Sequence, residues 1–259
     1  MNNVMALAGV VIKEMYRRKD FYVLFVMTAL ITLLLGAMRF FDNAGIVRFL
    51  KEICLVLIWI STLVIAVTTA ARQIPAERES RTIFPLLAKP VRRWELVAGK
   101  FAGCWLACVI TLVVFYSFFG IITASREQAW PGMIFFQAVW LHAVFLAVVV
   151  ALVLLGSVVF TAQSSNATIC LIVVVGILYV GRYLNRVADG LRGIGGDIVY
   201  ALYFAIPHLE WYDIHNLLVN DWNGIDWVTM SGATLYGALY TGFLLLAAWM
   251  IFRHKALTV

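Results

Sequence analysis

Long apolar runs separated by short charged stretches dominate the chain. Residues 21–38, 53–71, 101–123, 140–160, 168–183 and 233–252 are each close to the roughly 20 residues that a helix needs to cross about 30 Å of hydrocarbon. The pattern predicts an all-α fold with six transmembrane helices, and an even number puts both termini on one side. Ahead of the first span, Val4, Leu7, Ala8, Val11, Ile12 and Met15 recur at helical spacing, with Lys13, Glu14, Arg17 and Arg18 mostly on the other side. Residues 1–20 therefore predict an amphipathic interfacial helix that feeds into span 1. A cleaved signal peptide is the competing reading, but the apolar run lies well inside the chain, exceeds a usual h-region and lacks an A-x-A exit.

The charged interruption between spans 2 and 3, residues 72–100, reads RQIPAERESRTIFPLLAKPVRRWELVAGK. Pro75 suits the first turn of a helix, where its missing N–H costs nothing, and Glu77 and Glu79 then sit near the positive end of the helix dipole. Pro85 and Pro90 interrupt the backbone, and a helical pattern resumes at about Arg92 and runs into span 3. This reads as a folded knob with a short helix of its own.

Composition agrees: 63% of the 259 residues are hydrophobic and 13% charged, far from the balance of soluble domains. Charge then orients the spans. With both termini, residues 72–100 and residues 161–167 on one side, that side holds 13 of the 20 Lys and Arg and the other holds 7. The positive-inside rule makes the richer side cytoplasmic. The net +6 thus reads as membrane orientation and contact with anionic lipid headgroups, with no nucleic-acid role. The expected location is a cytoplasmic (inner) membrane of bacterial or archaeal type.

Residues 184–232 form the longest external segment, and their apolar run 198–206 is too short to span, so it predicts a re-entrant or interfacial helix ended by Pro207. Trp211, Tyr212, Trp222 and Trp227 suit an aromatic belt. Ile198, Tyr203, Pro207 and Trp211 are the candidate elements of an external gate; a surface cap that merely joins two helices is the alternative.

Candidate chemistry is sparse. His142, near the start of span 4, is a functional suspect if it lies inside the membrane and unremarkable if it lies at the headgroups. His208, Glu210, Asp213 and His215 are metal-ligand types, but their spacing matches no HExxH pair, and no metal site is expected. Cys104 and Cys108 share a helix face and read as packing residues, and nothing suggests a disulfide framework. Gly99 and Gly103 form a GxxxG pair that lets another helix come close. Asn166-Ala167-Thr168 matches a glycosylation sequon by chance, at the expected cytoplasmic end of span 5. Gly99-Lys100 is no phosphate loop, because Trp94 stands where its first Gly belongs and Phe101 where its Ser or Thr belongs. A membrane-embedded enzyme using His142 or the His208 to His215 cluster, and a non-transporting assembly anchor, are the readings from other classes.

Residues 72–100 resemble the permease subunits of the ABC-2 family of ATP-driven transporters. The family's block between spans 2 and 3 carries paired glutamates, a Thr, a Leu pair, a Pro, an Arg and a Gly-Lys. Those positions are filled here by Glu77 and Glu79, Thr82, Leu86 and Leu87, Pro90, Arg93, and Gly99 with Lys100, while Arg81 stands where the family often has Gly. The resemblance implies a single transmembrane domain over residues 1–259, with a connecting helix at 1–20 and a coupling element at 72–100. It further implies that this element, Arg81 included, engages a separate ATPase. Two ATPase copies carrying ATP and Mg2+, and a second permease subunit, identical or homologous, are the expected partners. No cofactor is expected on this chain, and no covalent chemistry.

Overall fold

A computed structural model of the chain describes residues 2–17, 19–37, 43–79, 92–127, 132–190, 196, 199, 203, 206–220 and 222–254. Among them every regular element is helical. The helices are α1 (Asn2–Tyr16), α2 (Lys19–Ala37), α3 (Asn43–Ala71), α4 (Pro75–Glu79), α5 (Arg93–Glu127), α6 (Met133–Val159), α7 (Gln163–Gly190), α8 (His215–Val219) and α9 (Trp227–His254), with one 3-10 turn at Leu209–Tyr212. Among the described residues, five helices are long and apolar enough to cross a membrane: α3, α5, α6, α7 and α9. The first expected span is α2, whose apolar stretch Tyr22–Leu34 is shorter.

The helices outrun the apolar windows of the sequence. Span 2 starts at Asn43 instead of 53, span 3 at Arg93 instead of 101, span 4 at Met133 instead of 140 and span 6 at Trp227 instead of 233, while span 5 continues to Gly190 beyond 183. Hydropathy marks only the stretch that suits hydrocarbon, and a helix keeps its hydrogen bonds through the polar turns on either side. The segment between spans 5 and 6 is correspondingly shorter than 184–232. Of the predicted helical run 198–206, residues 199 and 203 are helical and most of the rest, Ile198 among them, lies outside the described residues.

Helix α6 is hydrophobic all round and occupies the centre: 72% of its apolar window is buried, against 22% for α7 and for α9. It packs on α3, α5 and α9. Gly237 of α9 permits the close approach, since a Cβ there would stand 2.5 Å from Val144 Cγ1 and 2.7 Å from the Tyr212 hydroxyl.

Polar links fix the two ends of the bundle. At the end away from the termini, Lys51 pairs with Glu127 at 2.5 Å and joins α3 to α5. There Gln137 donates through Nε2 to the Ile225 carbonyl at 2.8 Å and accepts the Ile225 N–H through Oε1 at 2.9 Å. The Tyr212 hydroxyl donates to the Ala233 carbonyl at 3.0 Å, and the His208 N–H to the Tyr236 hydroxyl at 3.1 Å. The connection into α9 is thus tied to the bundle.

Candidate coupling site

Helix α3 ends at Ala71, and after a turn at residues 72–74 Pro75 opens α4. Its fixed φ and missing N–H suit that first position. The Ala76 N–H donates to the Arg72 carbonyl at 3.0 Å, so the short helix follows α3 without slack. Glu77 lies in its first turn, where the helix dipole favours a carboxylate. On the return, the Arg92 N–H donates to Glu95 Oε2 at 2.9 Å, a carboxylate reaching back to cap the start of α5.

Polar contacts from Lys100, Arg72, Arg93 and Asn166 then bolt this region together. The buried Lys100 ammonium of α5 donates to Glu77 Oε1 and, at 3.1 Å, to Gln73 Oε1. Gln73 is itself oriented by its Nε2, which donates to the Thr69 carbonyl at 3.1 Å. Arg72 Nη2 meets Glu14 Oε1 of α1 at 2.9 Å. Arg93 Nη1 donates to the Phe252 and Arg253 carbonyls at 2.6 and 3.0 Å, capping the C-terminus of α9, where a cation also complements the dipole. Finally Asn166, fully buried at the start of α7, donates through Nδ2 to the Ala71 carbonyl at 3.1 Å and the Val153 carbonyl at 3.2 Å. Lys100 and Asn166 serve their partners where water is scarce, and losing either would leave those partners desolvated, whereas Glu14 at Arg72 is half exposed.

The close-approach pair Gly99 and Gly103 receives α1. A Cβ on Gly99 would stand 2.8 Å from Leu7 Cβ, and one on Gly103 2.7 Å from Val11 Cβ. The apolar stripe of α1 is therefore spent on the protein: Ala8, Val11 and Met15 are buried against α5, while Met5 and Tyr16 on its flank are exposed.

Of the residues expected to couple, Glu77, Arg93, Gly99 and Lys100 are brought into this cluster, and Glu79 closes α4. Arg81, Thr82, Leu86, Leu87 and Pro90 lie outside the described residues. The sequence reading missed Glu14, Arg72 and Gln73, and took Asn166 only for a chance sequon. A buried, doubly bonded amide leaves no room for a glycan, and an Asn between apolar runs is the usual signal of interhelical bonding.

His142 sits ten residues into the α6 sequence and is buried in the bundle, 1% exposed. It stacks on Trp59 at 4.3 Å. The Thr62 hydroxyl gives its proton to the Ile58 carbonyl at 2.7 Å, so His142 Nε2–H donates to Thr62 Oγ1 at 3.0 Å, leaving Nδ1 to accept from the Tyr116 hydroxyl at 3.4 Å. Both ring nitrogens of a neutral imidazole are thereby satisfied across three helices, an arrangement that serves packing and leaves no base facing an open cleft. Among the described residues no three His, Cys, Asp or Glu side chains gather as a metal site, His208, Glu210, Asp213 and His215 included. His208 instead pairs with Glu210 at 3.5 Å and lies between the rings of Tyr203, at 4.2 Å, and Trp211, at 5.0 Å. Pro207 precedes this cluster, its carbonyl accepting the Leu209 N–H at 2.8 Å. Cys104 and Cys108 are buried free thiols.

A bundle of long apolar helices, with a short helix between its second and third spans held to the third by the Glu77–Lys100 pair, defines a polytopic membrane protein. A family model described as ABC-2 family transporter protein matches residues 37–190, more than half of the chain. The chain belongs to that family and is a permease, the membrane component of an ABC transporter. No curated protein matches it.

Proposed function

We propose that the chain is the permease subunit of an ABC exporter, in which two membrane subunits, identical or homologous, work with two separate ATPase subunits that bind ATP and Mg2+. The carrying observation is the cluster around Lys100. Through Glu77, Gln73, Glu14 with Arg72, and Arg93, a displacement of α4 is shared at once by α1, α3, α5 and α9. An ATPase closing against residues 72–100 then moves the bundle as a rigid body. In this reading Glu77 is the internal strut and Glu79 and Arg81 are the contacts to the ATPase, through charge-assisted hydrogen bonds. Leu86 and Leu87 anchor the element, and the termini and α4 face the cytoplasm of a cytoplasmic (inner) membrane. The cluster of Tyr203, Pro207 and Trp211 forms part of an external gate.

Two measurements test this. Glu79→Lys should abolish co-purification of the partner ATPase, or uncouple ATP turnover from transport in reconstituted membranes, while leaving the melting temperature of the permease unchanged. Unchanged association and turnover would remove the coupling assignment. A single cysteine at Lys89 should resist impermeant reagents in intact cells, and labelling there would reverse the orientation.

A further inference from the structure

Between α5, α6 and α9 lies an apolar cavity of about 350 Å³. A hole of roughly 150 Å³ in an engineered core already admits benzene, so this one takes a larger guest. Its lining on α9 runs from Thr234 to Leu245, about 16 Å of helix at 1.5 Å per residue. The aromatic walls are fixed in advance. Trp105 Nε1 donates to the Ala143 carbonyl at 2.9 Å, Trp140 Nε1 donates to Thr234 Oγ1 at 3.0 Å, and Phe101 lies parallel to Trp105 with centroids 6.2 Å apart. Pinned walls lower the ordering cost of binding.

One polar group on this surface lacks a partner. Thr32, Thr62, Thr68, Thr111, Thr123 and Thr234 each donate to a carbonyl one turn back in their own helix. Thr241 does not: it lines the cavity, is 8% exposed, and its Oγ1 is buried without a hydrogen-bond partner. A hydroxyl stranded in apolar surroundings is costly, so an acceptor brought by a guest would be rewarded. Water is a poor candidate, because it needs two to four polar partners and the walls are otherwise almost wholly apolar. An ordinary phospholipid tail is also a poor one. Thr241 stands midway along α9, where such a tail carries no oxygen.

We propose that this cavity binds an uncharged lipophile, entering sideways from the bilayer, whose apolar body carries a carbonyl or ether oxygen that accepts a hydrogen bond from Thr241. No charged residue lines the site, which excludes an ionised headgroup as the recognised element. The inference stands apart from the transport reading, since binding is measured without the ATPase.

The test uses purified full-length protein in lipid nanodiscs and two probes, a brominated long-chain ketone and the matched brominated alkane, read by quenching of tryptophan fluorescence. The ketone should quench saturably and more tightly than the alkane. A Cβ at Gly242 meets nothing within 4 Å, so Gly242→Leu fills the cavity without disturbing the helix and should weaken ketone binding at least about ten-fold. Thr241→Val should weaken it roughly five-fold, as expected for one hydrogen bond, with Thr241→Ser binding as the parent does. The alkane should ignore Thr241→Val. Equal quenching by both probes, or indifference of the ketone to either Gly242→Leu or Thr241→Val, overturns the proposal. So does self-association of the protein that Gly242→Leu abolishes while neither probe binds, which would give the cavity to a helix of a second copy.

Discussion

The two ends of the bundle are held by different chemistry. At the end bearing the termini, Lys100, Arg72 and Arg93 lock five helices by charge, reaching carboxylates and helix-terminal carbonyls from buried (Lys100, Arg72) and half-buried (Arg93) positions. At the other end the Lys51–Glu127 ion pair accompanies neutral bonds from Gln137 and Tyr212 and stacked rings around His208. Buried charge pairs are stiff and intolerant of half-removal, whereas neutral bonds and ring stacks can be exchanged one at a time. In the proposed coupling role, the first kind of end would transmit force and the second would rearrange.

The sharpest way to break that contrast is Lys100→Ala. It strands Glu77 beside Gln73 and should cost about 3–5 kcal/mol, seen as a large fall in melting temperature in detergent. Adding Glu77→Ala should restore part of the loss, a coupling that a double-mutant cycle measures. Asn166→Ala comes next, at about 1–3 kcal/mol, because the Ala71 and Val153 carbonyls lose their shared donor. At the opposite end Gln137→Ala should cost about 1–2 kcal/mol and act locally, raising hydrogen exchange at the Ile225 amide without changing ATPase association. The smallest effect belongs to Asn3→Ala. Its 3.4 Å bond to Glu95 is exposed, and the melting temperature should not move. If Gln137→Ala proved as damaging as Lys100→Ala, the two ends would not differ in the way described.

Much of this was legible in the chain. Five of the six apolar windows marked helices long enough to span because hydrocarbon selects composition directly, and Pro75 announced α4 because its ring suits a first turn. The stripe of Val4, Leu7, Ala8, Val11 and Met15 announced α1, and Gly99 with Gly103 announced a close neighbour, but nothing local says that each is the other's partner. The bond between Lys100 and Glu77 is hidden for the same reason. The two lie 23 positions apart, and only the return of the chain into α5 makes them meet. Asn166 was misread because a three-residue sequon carries no information about burial, whereas its role depends wholly on being enclosed by α3, α6 and α7. His142 drew suspicion by residue type, and its bonds to Thr62 and Tyr116 are hidden in sequence because those residues lie on two other helices.

The docking of α1 on Gly99 and Gly103 also sets a timetable for biogenesis. Helix α1 leaves the ribosome well before α5, yet the groove that receives Val11 and Leu7 exists only once α5 has been made and inserted, some ninety residues later at about 5–20 residues per second. For several seconds the apolar stripe of nascent α1 has only the lipid surface to rest on. A chain truncated before Gly103 never ends that wait, and it presents to the cell's proteases an apolar stripe, Ala8, Val11 and Met15, that the finished protein keeps covered.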